Sequence, residues 1–292
     1  MMSDRLDFNV LRGKLLEYLR EDIGFGDLTT NLVVPSDLLA EAIITLKSDG
    51  IVAGIRESLD IFELAGIDVM EHVYDGAVAH SGQILAKVRG PARSILTVER
   101  TVLNLLMRMG GIATITRRMV DEARSINPTI KIACTRKTTP GFRLFEKRAV
   151  ELGGGDTHRL RLDDAVLVKS NHISAAGGVR EAVERVKSGM SFTKKLEVEV
   201  SSVDEAVEAV RSGLDILMLD NMTPDEAEQT ISTLTEMDIR SGIMIEVSGG
   251  VKPENLKAYA AVGADVISMG LLTHSARALD INLKITRTWT SP

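Results

Sequence analysis

Five cationic side chains stand on three successive segments in the C-terminal part of the chain. Arg136 and Lys137 follow the apolar run IKIACT, just after Thr135. His158 and Arg159 lie in GGGDTHRLR, and Lys169 closes AVLVK. A buried Arg or Lys needs a partner, and the carboxylates of the sequence are too dispersed to assign one to each. An anionic ligand can supply it, Arg being suited to bidentate recognition of carboxylates or phosphates. Lys169 can alternatively form a Schiff base, as desolvated lysines do.

The acidic counterpart is Glu199 in KLEVEV and Asp220 at the end of DILMLD. Two carboxylates at neighbouring strand ends suit a hard cation such as magnesium, shared with substrate phosphates, or the hydroxyls of a sugar. The plainer reading, that they balance nearby Arg and Lys, has equal weight. Glu197 shares a strand face with Glu199, so periodicity does not decide which of them points inward. Ser248, Gly249 and Gly250 in SGGVKPENL stand before a helix that Pro253 can start, and Met269 and Gly270 open a second small-residue turn in SMGLLTHS. Exposed backbone N–H groups at such turns attract phosphate.

Other candidates read as structural. Arg143, Lys147 and Arg148 form a solvated helix face. His72, His80 and His274 have no neighbours that suggest a triad, and Cys134 is a small buried strand residue. Arg100 sits in ERTVLNLLMRM, a helix apolar on nearly every side. Its charge must go to Glu99, to another local acid, or across an interface with a second subunit.

These residues need elements to position them. Texture changes near residue 115, giving domains 1–115 and 116–275. The first part predicts a helix from Leu6 to Arg20, with Asp4 as cap and Leu6, Val10, Leu15, Leu16 and Leu19 on or near one face. Strand-like AEAIITLK and GIVAGI, a helix from Glu57 to Ala65, strand-like EHVYDG and GQILAKVRG, and a helix from Arg93 to Met109 follow. Together they suggest a small α+β sandwich. After residue 115, IKIACT, AVLVK, KLEVEV, DILMLD, GIMIEVS and DVISMG alternate with helical stretches such as VDEAVEAVRSG and PDEAEQTISTLTEM. Apolar runs alternating with helices imply parallel βαβ units. Functional residues at several strand ends converge in a barrel, whereas an open sheet would carry a Gly-rich fingerprint after its first strand, absent here. The barrel is the better reading.

Composition narrows the field further. The 292 residues are 44% hydrophobic and 26% charged with net charge −6, enough apolar content for a sizeable core. That charge, with 3% aromatics, argues against nucleic-acid binding and base stacking. A single cysteine excludes a disulfide framework and fits a reducing interior. The charged MMSDRLDF start does not read as a signal peptide, and no apolar run approaches a membrane span. The expectation is a cytoplasmic protein.

The segment TRKTTPGFRLFEKRAVELGGGDTHRLRLDDAVLVKSNH, from Thr135 to His172, closely resembles the signature of the quinolinate phosphoribosyltransferase family. The likeness extends in the same order to GDLTT at Gly26, ERTVLNLL at Glu99, LEVEV at Leu196, LDN at Leu219, EVSGG at Glu246 and MGLLTHS at Met269. The resemblance implies an N-terminal open α/β sandwich, onto which segment 276–292 packs back, and an incomplete, seven-stranded TIM-like α/β barrel. It also implies a homodimer with shared active sites, or a hexamer built from such dimers. The implied reaction converts quinolinate and phosphoribosyl pyrophosphate, with magnesium, to nicotinate mononucleotide, pyrophosphate and carbon dioxide in NAD biosynthesis.

By motif, Arg136, His158, Arg159 and Lys169 would surround quinolinate, with Arg100 entering from the partner subunit. Lys137 would lie near the pyrophosphate, and Glu199 and Asp220 would face ribose and magnesium. Lys169, Glu199 and Asp220 would be the catalytic residues. Ser248, Gly249, Gly250 and Gly270 would hold the 5′-phosphate, and Thr135 and Met269 complete the substrate-binding set. The family usually reads Lys-Asp-Asn-His where this chain has Lys169, Ser170, Asn171 and His172. A paralogous group linked to molybdenum transport typically lacks the lysine found here at 169. A Schiff-base lyase and a non-catalytic binder of phosphorylated ligands are the rival readings.

Overall fold

The computed structural model of the chain describes residues 8–290. Asp4 and Leu6, the expected cap and first apolar position of the opening helix, lie outside them. In chain order the elements are α1 (Phe8–Ile23), α2 (Leu28–Val33), β1 (Leu38–Leu46), β2 (Gly50–Ile51), α3 (Ile55–Leu64), β3 (Asp68–His72), β4 (Val78–Ala79), β5 (Ile84–Pro91) and α4 (Ala92–Arg124). Then come β6 (Lys131–Ala133), α5 (Arg143–Leu152), β7 (Val166–Val168), α6 (Ser170–Ala176), α7 (Val179–Gly189), β8 (Leu196–Val200), α8 (Val203–Ser212), β9 (Ile216–Asp220), α9 (Pro224–Glu236), β10 (Met244–Ser248), α10 (Leu256–Ala261), β11 (Val266–Ser268), α11 (Leu271–His274) and β12 (Ile281–Thr290).

The chain forms two units. The first holds the described parts of Met1–Arg117, Leu144–Gly154 and Ala276–Pro292. Its sheet has the antiparallel order β12-β1-β5-β3. Along β1 the alternation LLAEAIITL puts Ala40, Ala42, Ile44 and Leu46 into the core, as a strand with one buried face requires. In α1 the buried stripe is Leu11, Leu15 and Leu19, one residue per turn, whereas Val10 is exposed. GIVAGI contributes only the two residues of β2, and the strand near EHVYDG is Asp68–His72.

Helix α4 runs through Gly110 and Gly111 to Arg124 instead of stopping at Met109. A Cβ on Gly111 would run into the carbonyl of Arg277. The paired glycines therefore mark a close backbone approach inside the helix and do not end it.

Helix α5 overturns the solvated face expected for Lys147 and Arg148, since both are buried. Arg148 donates to Glu57 at 2.8 and 2.9 Å and to Asp75 at 2.7 Å. Asp75 also accepts from the backbone N–H of Ile55 at 2.9 Å, at the start of α3. The sequence hides this because the partners lie 91 and 73 residues away. Removing one member of a buried ion cluster leaves the others uncompensated. Arg148→Ala is expected to cost about 3–5 kcal/mol, read as a lower urea midpoint. Arg143 departs from the same expectation differently. It is half-buried and braces two loops of the second unit, donating to Thr138 Oγ1 at 2.8 Å and to the Leu160 carbonyl at 3.2 Å.

The second unit, Arg118–Arg143 and Gly155–Ser275, carries a parallel sheet in the order β6-β11-β10-β9-β8-β7. From β7 to β11 each strand lies beside its predecessor, and β11 then meets β6, the first strand. A doubly wound sheet reverses its order at a switch point. An order that returns to its first strand is that of a barrel. The sheet has six strands where seven were expected. Between β6 and β7 the chain makes a single parallel bridge, Ala133 with Asp156, in a Gly-rich stretch with little strand propensity.

The strands are short and mostly apolar, and β8 is buried at all five positions. The helices begin close behind them. Ser202 caps α8, accepting from the Glu205 N–H at 3.2 Å, and Thr223 caps α9 in a reciprocal box with Glu226 followed by Pro224. These caps stop each strand at a fixed residue, which leaves Glu199 and Asp220 at one end of the barrel.

Candidate functional site

A cavity of about 480 Å³ opens at the carboxyl ends of the second unit's strands. Thr135, Arg136, Lys137, His158, Arg159, Lys169, Glu199, Asp220, Ser248, Gly249 and Gly250 all line it. A larger groove of about 790 Å³ runs over the outer faces of α7, α8 and α9. No strand-end residue reaches that groove, so the smaller cavity is where the barrel chemistry converges.

The cations have unequal environments. Lys169 Nζ donates to Glu199 Oε2 at 2.6 Å. Its backbone N–H is held by His172 Nδ1 at 3.0 Å, across the first turn of α6. Ser170 is exposed at the first position of that helix. Arg136 carries a buried Nε with no hydrogen-bond partner. Arg159 donates to the Ala165 carbonyl at 3.3 Å. Burial and then the facing Arg136 guanidinium lower its pKa. Two guanidiniums that repel each other in a cavity define a site for an anion.

On the acidic side, burial and then the Glu199 charge raise the pKa of Asp220, against the Asn221 amide that donates to it at 2.7 Å. Two carboxylates that repel in this way fit a hard divalent cation, which would relieve them.

Both Glu197 and Glu199 point inward, two layers of one strand face. The deeper layer joins Glu197 to Glu246 of β10 and His158, whose ligating atoms all lie within 4.8 Å of one another. His158 Nε2 lies 3.3 Å from Glu246 Oε2 and 3.6 Å from Glu197 Oε1, while Nδ1 accepts from the Arg159 N–H at 2.8 Å. Burial opposes a proton on the ring, but the two carboxylates outweigh it and raise the His158 pKa. Burial also raises that of Glu197. With Nδ1 accepting from the Arg159 N–H, the ring's proton lies on Nε2 and faces both carboxylates.

The turn suited to phosphate depends on glycine. Gly249 and Gly250 have φ of +83° and +65°, a region unfavourable to side chains. A Cβ on Gly249 would collide with Asn221, itself at φ +56°. The helix expected from Pro253 begins instead at Leu256, after a turn. Met269 is buried and donates its N–H to the Ala133 carbonyl at 2.8 Å, beside the cavity but outside its lining. Gly270 packs against Lys137. Arg100, on α4 in the first unit, is exposed; burial raises the pKa of the neighbouring Glu99, and the Arg100 charge opposes that rise without cancelling it. His72 bonds to the Val73 carbonyl at 2.9 Å, His80 lies 3.6 Å from Asp49, and His274 lies 2.6 Å from Ser275 Oγ. Cys134 is buried, with Sγ on the Thr157 carbonyl at 3.3 Å.

Sequence reasoning assigned no role to Leu167, Met218, Asn221, Glu246 or Ser268, which also line the cavity. The signal for two of them was the period of a strand: Glu246 stands two residues before Ser248, and Met218 two before Asp220. Ser268 bonds to Ser248 Oγ at 2.9 Å across β10 and β11. No helix among the described residues is long and apolar enough to cross a membrane.

Known proteins share this arrangement. Residues 27–110 match the family described as Quinolinate phosphoribosyl transferase, N-terminal domain, and residues 112–284 its C-terminal domain. A probable nicotinate-nucleotide pyrophosphorylase (carboxylating) of Methanocaldococcus jannaschii is 48% identical over 276 residues, 94% of this chain and 95% of the relative. The human nicotinate-nucleotide pyrophosphorylase (carboxylating) is 41% identical over 246 residues, 84% of this chain and 82% of its own. The solved structure of NadC from Streptococcus pyogenes superposes with a TM-score of 0.89 at 36% identity, covering 98% of this chain and 99% of that one. By domains, by relatives and by fold, the chain belongs to the quinolinate phosphoribosyl transferase family.

Proposed function

We infer that the chain transfers the phosphoribosyl group of phosphoribosyl pyrophosphate to quinolinate with loss of carbon dioxide, giving nicotinate mononucleotide and pyrophosphate for NAD biosynthesis. The observation that carries the substrate choice is the Arg136–Arg159 pair, with its mutual repulsion and the unpartnered Arg136 Nε. Such a pair is suited to a dianion, and quinolinate brings two adjacent carboxylates.

The residues divide the work. Arg136, Arg159 and Lys169 bind and orient the dicarboxylate so that its ring nitrogen faces the sugar, with Arg100 of a second subunit as a further cation. Thr135 and Lys137 serve the pyrophosphate, and Ser248, Gly249, Gly250 and Gly270 the 5′-phosphate, with Met269 supporting that set from beside the cavity. The ring nitrogen bonds to C1 of the ribose as the bond from C1 to the pyrophosphate oxygen breaks, and that bond's electron pair leaves with the pyrophosphate. Glu199 and Asp220 face the positive charge that develops on the sugar and favour it electrostatically. After transfer the C2–carboxylate bond breaks as carbon dioxide departs, its electron pair stays on C2 where the adjacent quaternised nitrogen stabilises it, and C2 then takes up a proton. Glu199 and Asp220, together with the substrate phosphates, would hold magnesium, which when bound would supply positive charge against the pyrophosphate. Holding both substrates in one cavity removes much of the entropic barrier.

A homodimer, or a hexamer of such dimers, fits an exposed Arg100 and the exposed apolar side chains of Phe25, Leu28, Leu32 and Val33, since such patches mark association surfaces. A lone buried cysteine fits the reducing cytoplasm. The Schiff-base reading loses ground because Lys169 is hydrogen-bonded to a carboxylate and is not a free amine.

Equilibrium binding tests the dicarboxylate pocket. Quinolinate is expected to bind at least about 10-fold more tightly than nicotinate, the worth of one charge-assisted hydrogen bond. Arg136→Ala is expected to erase that difference; a variant that still discriminates would place the second carboxylate elsewhere.

A further inference from the structure

Glu246 is buried among apolar strands, and burying an unpaired carboxylate is costly. Its Oε1 and Glu197 Oε1 have no hydrogen-bond partner. Neither carboxylate reaches Arg136, Lys137 or Lys169 in any ion pair found among the described residues. Their common neighbour is His158, which stands between them with Nε2 at 3.3 Å from Glu246 and 3.6 Å from Glu197.

His158 is itself placed with unusual firmness. It holds a left-handed backbone, φ +51°, which costs a side-chain-bearing residue energy unless its surroundings enforce it. Its N–H donates to Asp156 Oδ1 at 2.7 Å, on the residue that bridges to β6. Its Nδ1 accepts the next backbone N–H, that of Arg159, at 2.8 Å. Each ring nitrogen is therefore engaged by protein. One end of the imidazole meets the rigid floor of the barrel and the other fixes the peptide that carries Arg159.

We propose that Glu246, supported by Glu197, is a positioning residue for the dicarboxylate: acting through His158, it anchors the Arg159 backbone and so aims the guanidinium into the cavity. This rests on the quinolinate reading above. It also gives His158 a different part from that of a direct carboxylate ligand. Strands β8 and β10 flank β9, with Glu197 opposite Ile216 and Glu246 opposite Met218, so the two carboxylates are held by a stiff parallel sheet. Partners that orient a ligand's own contacts from behind commonly matter nearly as much as the contacts themselves.

The test is calorimetric binding to the full-length protein. Glu246→Gln is expected to weaken quinolinate binding by about 10- to 100-fold and to leave phosphoribosyl pyrophosphate binding within about twofold. His158→Asn keeps an acceptor near the Nδ1 position but loses the reach to Glu246. It is expected to weaken quinolinate to a similar degree. The double variant should be no worse than either single, because both remove one connection. Thermal midpoints check that each variant folds, and Glu197→Gln, expected to weaken quinolinate selectively, takes the place of a Glu246 variant that does not fold. Unchanged quinolinate binding in Glu246→Gln, an equal loss for both substrates, or fully additive effects in the double variant would overturn the proposal. Failure of the unaltered protein to bind quinolinate would instead overturn the substrate reading on which it rests.

Discussion

Lys169→Ala is expected to lower kcat/KM for quinolinate by about 1,000-fold or more while leaving the protein folded. Removing one preorganised electrostatic group from a transition-state site commonly costs about 100- to 1,000-fold, and here two effects act together. The variant loses a cation at the dicarboxylate, and it frees the charge of Glu199, whose Oε2 now accepts from Lys169 at 2.6 Å. That freed charge sits in the same cavity and repels an incoming dianion. Stability should move little, within about 1 kcal/mol, because the lysine side chain is 45% exposed and such pairs are screened by water. Steady-state kinetics beside a thermal melt separate the two. Turnover within tenfold of the unaltered protein would remove Lys169 from the mechanism.

Gly249→Val is the second large effect, and its signature differs. The backbone there has φ +83°, and a new Cβ would collide with Asn221, whose side chain also bonds to Asp220. A β-branched residue cannot adopt that conformation without strain of about 1–3 kcal/mol, so the turn must move. Phosphoribosyl pyrophosphate binding is expected to fall by about 100-fold or more, as the backbone N–H groups that would meet its 5′-phosphate are displaced. Quinolinate binding, on the other side of the cavity, should stay within about threefold. Equal losses for both ligands would mean that the turn supports the whole site and not the phosphate alone.

What could be read from the sequence, and what could not, follows the range of the interactions concerned. The barrel was legible because each apolar run is local and its last polar residue falls at one end, so that Lys169, Glu199, Asp220 and Ser248 meet in one cavity. The Gly-rich DTHR stretch was legible as chemistry but not as structure: no strand-like run marked it, and it joins the sheet by one bridge at Asp156. The inward orientation of both Glu197 and Glu199 rests on distant partners, His158 for the one and Lys169 for the other. The burial of Lys147 and Arg148 needed partners far along the chain, because a charged helix face looks the same whether it meets water or the acids of another element. Glu246 sat in a recognised motif, yet its role depends on His158, 88 residues before it in the sequence. Long-range pairing of charges is what a linear pattern conceals.

The most direct measurement of the central claim is release of pyrophosphate and carbon dioxide from phosphoribosyl pyrophosphate and magnesium, with quinolinate compared against nicotinate. Equal amounts of both products from quinolinate, and neither from nicotinate, is the predicted result. Pyrophosphate from nicotinate without carbon dioxide would keep the transfer chemistry and refute the dicarboxylate pocket. Silence with both acceptors would contradict the transferase account itself and turn attention to Ser170, beside Lys169 at the cavity's edge.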